Sequence, residues 1–309
     1  MLPNLTLVTC GRGKTGRRVA TRLAALGLPV RVGSRAAAPP FDWRSAATWP
    51  AALDGVDAVY LAYYPDVASP EAAEHIEAFT LRAIASGVRR IVTLSRRGAR
   101  EAEHCDAIVR ALPIEWTLLR SSWLAQTFSE GFLLKPLLRG EVLLPPGDIS
   151  EPFVDADDVA DVAVAALTEP DHIGEVYDLS GPRLWTLRAA IDEIASATRR
   201  RIRCVDVSLD ELTIALSADV PPAVAGLTTY LLAEALERKY GVVTAGVPRA
   251  LGRLPRDFSD YVRDTAGTEL WRIKLMNGAR SALSDRLEHG RRAAPGRRHV
   301  STTALMLRG

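Results

Sequence analysis

LTLVTCGRGKTGRRVATRLAALG, residues 5–27, decides how the rest of the chain is read. Leu5, Leu7 and Val8 form a short apolar run, and Gly11, Gly13 and Gly16 follow at once. Val19, Ala20, Leu23 and Leu26 then recur at helical spacing. Strand, glycine-rich turn and helix in that order suit a dinucleotide. Glycine lets the backbone turn tightly and approach a pyrophosphate, and free amides at the positive end of the helix meet its charge. A G-x-G-x-x-G string alone is common in loops; its place at the first strand–helix junction gives it weight.

The next segment, PVRVGSR (29–35), reads as the second strand. A domain built for NAD usually carries an acid near this point to hold the ribose hydroxyls. Here Ser34 and Arg35 occupy the strand end, and no carboxylate follows before Asp42. A guanidinium pairs with a 2′-phosphate and a hydroxyl adds a hydrogen bond, so NADPH is expected in preference to NADH. Arg17 and Arg18 stand ready to add charge from the helix. The alternative is that Arg35 is a solvated strand-end residue.

Composition bounds the remaining possibilities. A chain of 309 residues can bury a substantial core. Its net charge of +2 is unevenly spread: residues 272–309 hold nine Lys/Arg against two Asp/Glu, which leaves the remainder mildly acidic. No nucleic-acid surface is expected within the fold. Cys10, Cys105 and Cys204 are scattered without C-x-x-C spacing, which fits neither a disulfide framework nor a metal site and suggests a reducing cytoplasm. No apolar run is long enough for a membrane span, so the expected partner is a small-molecule substrate, with monomer or homodimer left open.

Strands and helices alternate along the first half. Strands are predicted at 41–43, 57–63, 90–95 and 115–120, with helices near 48–53, 70–86 and 99–111 between them. Such an order implies a parallel sheet covered on both faces. Further on, helices are expected at 123–138, 155–167, 186–198, 208–217, 222–240 and 256–265, with strands at 176–179 and 202–207. In DADDVADVA, Asp155 is read as a helix cap rather than a catalytic acid. Residues 272–309 are arginine-rich and broken by Pro295 and Gly296, and read as a flexible tail with at most one helical stretch near 277–289.

GKTGRRVA (13–20), VGSR (32–35), FDW (41–43), DAVYLAYYP (57–65), SGVRRIVTLS (86–95), EWTLLRSSWLAQTFSEGF (115–132), EPFVDADDVADVAVAAL (151–167) and VYDLSGP (176–182) together resemble NmrA-like atypical short-chain dehydrogenases. Within that group the chain is most similar to the branch of ergot-alkaloid-type NADPH reductases and NADPH:quinone reductases. The resemblance spans roughly 1–271. It implies an α/β fold: a Rossmann-type doubly wound parallel sheet over about 1–150 and part of 151–180, and a smaller C-terminal α/β lobe over about 181–271. It also implies hydride transfer from NADPH. Carried onto this chain, the phosphate loop falls on Gly13, Lys14, Thr15 and Gly16, and the 2′-phosphate clamp on Ser34 and Arg35. The adenine side falls on Asp42 and Trp43, and the nicotinamide side on Ala62, Tyr63, Tyr64 and Ser95. One departure stands out. The family's first glycine would sit at position 10, where this chain has cysteine; either Gly11 takes over the tight turn or cofactor affinity is weakened.

Ketone-reducing short-chain dehydrogenases place a Tyr-x-x-x-Lys pair after the Ser-bearing strand to protonate an alkoxide. Here that stretch reads SRRGAREAEHCDAIVRA, with neither residue. Ser95, Tyr63 and His104 remain as weak catalytic candidates, and a lone helical His is commonly a surface residue. An acceptor that is already electron-deficient, an imine or iminium or a quinone, needs less help. Trp123, Gln126 and Phe128 are the candidate substrate pocket, with lobe packing as the equal alternative. A different reading also stays open: a dinucleotide-binding redox sensor that turns nothing over and acts through a protein partner.

Overall fold

Leu7 and Val8 are fully buried in β1 (Thr6–Val8), and α1 (Gly16–Ala25) lays Val19, Ala20 and Leu23 against the sheet. The computed structural model describes residues 4–272 apart from Asp148, Lys239 and Tyr240; the tail expected over 272–309 therefore lies, but for Arg272, outside the described residues. The chain continues through β2 (Val30–Val32), α2 (Trp49–Leu53), β3 (Ala58–Leu61), α3 (Ala72–Ala85), β4 (Arg90–Arg96), α4 (Arg100–Ala111) and β5 (Glu115–Ser121). Then come α5 (Thr127–Glu130), α6 (Leu134–Arg139), β6 (Glu141–Leu144), β7 (Ser150–Glu151), α7 (Ala156–Thr168) and β8 (Val176–Leu179). The last part holds β9 (Trp185–Thr186), α8 (Leu187–Thr198), β10 (Arg203–Asp206), α9 (Leu209–Ser217), α10 (Pro222–Arg238), α11 (Gly246–Leu251) and α12 (Phe258–Gly267).

Six strands form one parallel sheet in the order β2-β1-β3-β4-β5-β8. Alternate residues face opposite layers. Val8, Tyr60, Val92 and Leu119 meet α1 and α7 on one side, while Leu7, Val59, Leu61 and Ile91 meet α2, α3 and α4 on the other. This is the doubly wound Rossmann-type sheet that the alternating pattern implied. The chain leaves β1 toward β2 and returns to β3 on its far side, which opens a crevice beyond the carboxyl ends of β1 and β3.

Two local expectations are corrected. No strand forms at 41–43: Phe41, Trp43 and Trp49 turn inward around Phe79, with Trp43 and Phe79 ring centroids 5.0 Å apart. Burying three large rings outweighs pairing one more short strand. The single helix expected over 123–138 is two short ones, α5 and α6, divided at Gly131. A Cβ there would stand 2.8 Å from the Thr127 carbonyl oxygen, so the chain can fold back on itself only at glycine.

The second hydrophobic core draws on α8, α9, α10 and α12 and also on Phe128, Leu137, Val142 and Phe153. The lobe thus recruits residues between 125 and 153 as well as those after 181. Parallel pairing of β6 with β10 and antiparallel pairing of β7 with β9 hold these pieces together. Trp271 closes this core, its indole N–H donating to the Phe128 carbonyl at 3.0 Å. No helix among the described residues is long and apolar enough to cross a membrane.

Candidate dinucleotide site and acceptor cleft

The glycine-rich turn is built from close approaches. The Gly13 amide donates to the Cys10 carbonyl at 2.7 Å and closes the turn, and the Gly11 amide donates to Gly33 O at 3.1 Å. A Cβ on Gly11 would stand 2.7 Å from Val32 Cγ1 and 2.8 Å from Val8 O; on Gly16 it would stand 2.4 Å from Cys10 O. In the first turn of α1 the Arg17 amide donates to Gly13 O at 3.1 Å and the Val19 amide to Thr15 O at 3.0 Å, which ties the helix start to the loop. The feature that demands positive φ is not Gly11 but Cys10, at φ 48°. Cys10 itself bears the left-handed turn, and Gly11 is needed for its lack of bulk. The Cys10 thiol donates to Ala62 O at 3.2 Å, and burial pushes it up to about 11, so it stays protonated.

Ala62 fastens the ends of β1 and β3 together. Its amide donates to Thr9 Oγ1 at 2.8 Å, and its carbonyl accepts from the Trp43 indole at 3.0 Å. Trp43 is thus a core ring, 5 % exposed, in place of the adenine contact expected of it. Asp42 beside it is partly exposed and accepts from the Arg44 amide at 3.1 Å. At the end of β2, Ser34 Oγ is buried without a hydrogen-bond partner and Arg35 is exposed. Arg17 and Arg18 are committed elsewhere. Arg17 pairs with Glu130 at 2.6 Å, and Arg18 with Glu130 at 3.0 Å and Asp157 at 3.3 Å, so neither supplies free charge to a phosphate. Lys14 and the exposed Arg12 are the loop's cations; burial lowers the Lys14 ammonium below the ordinary value, with Glu130 opposing.

The candidates beyond β3 and β4 separate. Tyr63 is 9 % exposed, its hydroxyl 2.7 Å from His75 Nδ1, and burial pushes it up to about 12. Tyr64 is 58 % exposed and free to meet a ligand. Ser95 is buried on the α4 side of the sheet, its Oγ unpartnered, next to the buried Asp106. Asp106 is held by Arg120 at 2.7 Å. His104 is exposed on α4 and stands apart from this cluster.

Of the expected pocket residues, only Trp123 lines the cleft. Gln126 is buried: its Nε2 donates to Asp155 Oδ1 at 2.7 Å and its Oε1 accepts from the Ala156 amide at 2.8 Å. It clamps the start of α7, where Asp155 caps the helix by accepting from the Asp157 amide. Phe128 is fully buried between Phe153 and Phe258, with ring centroids 5.1 and 5.2 Å away. Both residues therefore pack the lobe.

A shallow, partly open cleft of about 20 Å³ lies beyond β4 and β5, bordered by Arg96, Arg97, Ser122, Trp123, Glu151 and Glu234. Its chemistry is ionic. Arg96 grips Asp66 through two nitrogens, at 3.2 and 2.6 Å, and its guanidinium lies 5.7 Å from the Trp123 ring centroid. Burial opposes the Asp66 charge, but Arg96 outweighs it and holds that carboxyl below its usual range. Arg97 donates to Ser122 Oγ at 2.8 Å and Val242 O at 3.0 Å. Glu151 is 4 % exposed, and burial pushes its carboxyl up to about 7, against the pull of Arg97 and Arg96. Arg96, Arg97 and Glu151 escaped the sequence reading because SRRGAR resembles a solvated turn and the two-residue β7 shows no periodicity. The juxtaposition of Glu151 with Pro152 ahead of a capped helix was the one available signal.

No family model matches the chain. Among curated proteins it is 31 % identical over 290 residues to the uncharacterized oxidoreductase YesF of Bacillus subtilis, covering 88 % of this chain and 99 % of that protein. It is 32 % identical over 289 residues to the (4-alkanoyl-5-oxo-2,5-dihydrofuran-3-yl)methyl phosphate reductase of Streptomyces griseus, covering 85 % and 98 %. It is 29 % identical over 283 residues to festuclavine dehydrogenase of Aspergillus fumigatus, covering 82 % and 95 %. Among solved structures, an NADPH-dependent quinone oxidoreductase of Escherichia coli complexed with NADPH superposes with a TM-score of 0.65 at 20 % identity. That match covers 84 % of this chain and 99 % of the other, and it speaks for the fold alone.

Proposed function

The chain belongs to the NmrA-like atypical short-chain dehydrogenase/reductase family, and from that membership we propose that it takes hydride from NADPH, in preference to NADH, and delivers it to a small planar electrophilic acceptor, an imine or iminium or a quinone. The observation that carries this reading is the pairing of a glycine cradle with an unfilled polar corner. Gly11 and Gly16 leave no room for side chains where a pyrophosphate would pass, and Ser34 Oγ is buried without a partner beside exposed Arg35. A 2′-phosphate satisfies both. Lys14 would neutralise part of the pyrophosphate charge.

When bound, the nicotinamide supplies the hydride. The chain's own contribution is to orient and enclose. Tyr64 and Trp123 offer exposed or cleft-lining rings for a planar acceptor, and the absence of Tyr and Lys from α4 favours acceptors that are activated in their own right. The relatives named as a reductase and a dehydrogenase support redox turnover over passive sensing.

Fluorescence titration with NADPH and NADH tests the cofactor half. Arg35→Ala is expected to weaken NADPH binding by roughly 10–100-fold while leaving NADH unchanged. Equal binding of both coenzymes by the unaltered protein would refute the assigned clamp. Nicotinamide absorbance across a panel of quinones and cyclic imines tests turnover, and tight NADPH binding with no oxidation of it would refute the reductase reading.

A further inference from the structure

Resting on the reductase reading, we propose that Glu151 is the proton donor of the acceptor cleft, and that the acceptor is accordingly a neutral, quinone-type conjugated carbonyl whose reduction leaves an oxyanion. Three observations of the geometry carry this. Glu151 is 4 % exposed yet borders the cleft, and its carboxyl takes part in no hydrogen bond or ion pair among the described residues. A carboxyl largely withdrawn from water and without a hydrogen-bond donor is disfavoured in its charged form. The two arginines nearest in charge are spent on other acceptors, Arg96 on Asp66 and Arg97 on Ser122 and Val242. They stand close enough to steady a carboxylate once it forms, without fixing it as one beforehand.

The position is imposed by the fold. Glu151 pairs with Trp185 across β7 and β9, and the Gly181 amide donates to Pro152 O at 2.9 Å. Leu124 bridges Val154 in parallel, with the Val154 amide donating to Trp123 O at 3.0 Å. These ties put the acid and the Trp123 ring on the same cleft. The charged groups facing it are Arg96 from β4, Arg97 just after it, and Glu234 from α10, with Asp66 behind Arg96. Burial among them keeps the acid protonated up to about neutrality, the range in which a general acid is most effective.

The step balances without further reagents. Two electrons and a hydrogen leave the dihydronicotinamide as hydride and are taken up by the quinone, which becomes a hydroquinone monoanion. The O–H bond of Glu151 breaks as an O–H bond forms on that oxyanion, and the carboxylate recovers its proton from water. An iminium needs no such proton, since hydride alone converts it to a neutral amine.

The test uses the full chain, NADPH and 1,4-benzoquinone. Turnover of the unaltered enzyme should fall about tenfold per pH unit above neutrality. Glu151→Gln should lower kcat by about 10²-fold or more, flatten that limb, and leave the NADPH dissociation constant within about twofold. Glu151→Asp should restore part of the rate. Independently of turnover, difference infrared spectra of the cofactor-free protein should show a protonated-carboxyl stretch that titrates near neutrality and is missing from Glu151→Gln. A variant with unaltered kcat and pH profile, or a protein lacking that band, overturns the assignment of Glu151 alone. Failure of the unaltered protein to oxidise bound NADPH with any acceptor overturns the reductase reading and takes this proposal with it.

Discussion

Replacing Gly16 by alanine reverses an ordinary rule. In a helix, alanine for glycine normally stabilises by about 1 kcal/mol. At Gly16, the first residue of α1, the new Cβ would stand 2.4 Å from Cys10 O, 2.9 Å from Cys10 C and 3.0 Å from Gly11 Cα. All three are backbone atoms of the turn, so no side chain can swing aside. Relief requires the loop to back away from the helix, against the Gly13–Cys10 and Gly11–Gly33 hydrogen bonds that close it. Overpacking of this kind costs about 1–3 kcal/mol. Set against the propensity gain of about 1 kcal/mol, Gly16→Ala should destabilise by about 0–2 kcal/mol, up to a few degrees in Tm. The displaced loop should also lose NADPH affinity by roughly tenfold or more, since a shift of the amides lengthens every contact to the pyrophosphate. Urea denaturation and coenzyme fluorescence measure the two effects. A variant as stable as its parent that binds NADPH equally well would refute the claim that this approach shapes the site.

Cys10→Gly tests the strain at φ 48°: relief of about 1 kcal/mol offsets the lost thiol contact, so stability should change little, whereas Cys10→Val should cost about 2 kcal/mol or more by urea denaturation. Comparable stabilities for the two variants would show that the turn is not strained. For Glu151 the native pKa, about 7, exceeds the ordinary 4.5, so its contribution to stability is full below about pH 4.5 and is lost as pH rises through 7. Relative to Glu151→Gln, the unaltered protein should lose on the order of 3 kcal/mol between about pH 4 and pH 8. Parallel pH dependences for the two proteins would show that the acid is not perturbed.

Much of the sheet could be read from the chain because β1, β3, β4, β5 and β8 are short apolar runs set between helices of clear period. FDW misled for the opposite reason: aromatic residues have high strand propensity, yet Phe41 and Trp43 gain more by filling the space beside Phe79. The turn at Cys10 was visible as a departure, but which residue bears the positive φ depends on how tightly Val32 and Val8 crowd Gly11, and that is a tertiary fact. Gln126 and Phe128 follow a sheet strand and so look exposed to a ligand. Their burial comes from Asp155, Phe153 and Phe258, which arrive from later in the chain. Glu151 was hidden because a two-residue strand has no pattern and its meaning comes from neighbours on β4, β5 and α10.

The arginines of α1 give the molecule a mechanical character. Arg17 and Arg18 hold Glu130, and Arg22 holds Asp157 at 2.7 Å and Asp161 at 2.5 Å, while Arg253 reaches Asp158 and Asp161 from the far side. One end of this truss is the first helix of the coenzyme loop; another is the short segment whose Phe128 is the keystone of the lobe. On the proposed reading, the coenzyme's seat and the acceptor's wall would be bolted to a common girder, and the gap across which hydride travels would be gauged by the scaffold itself.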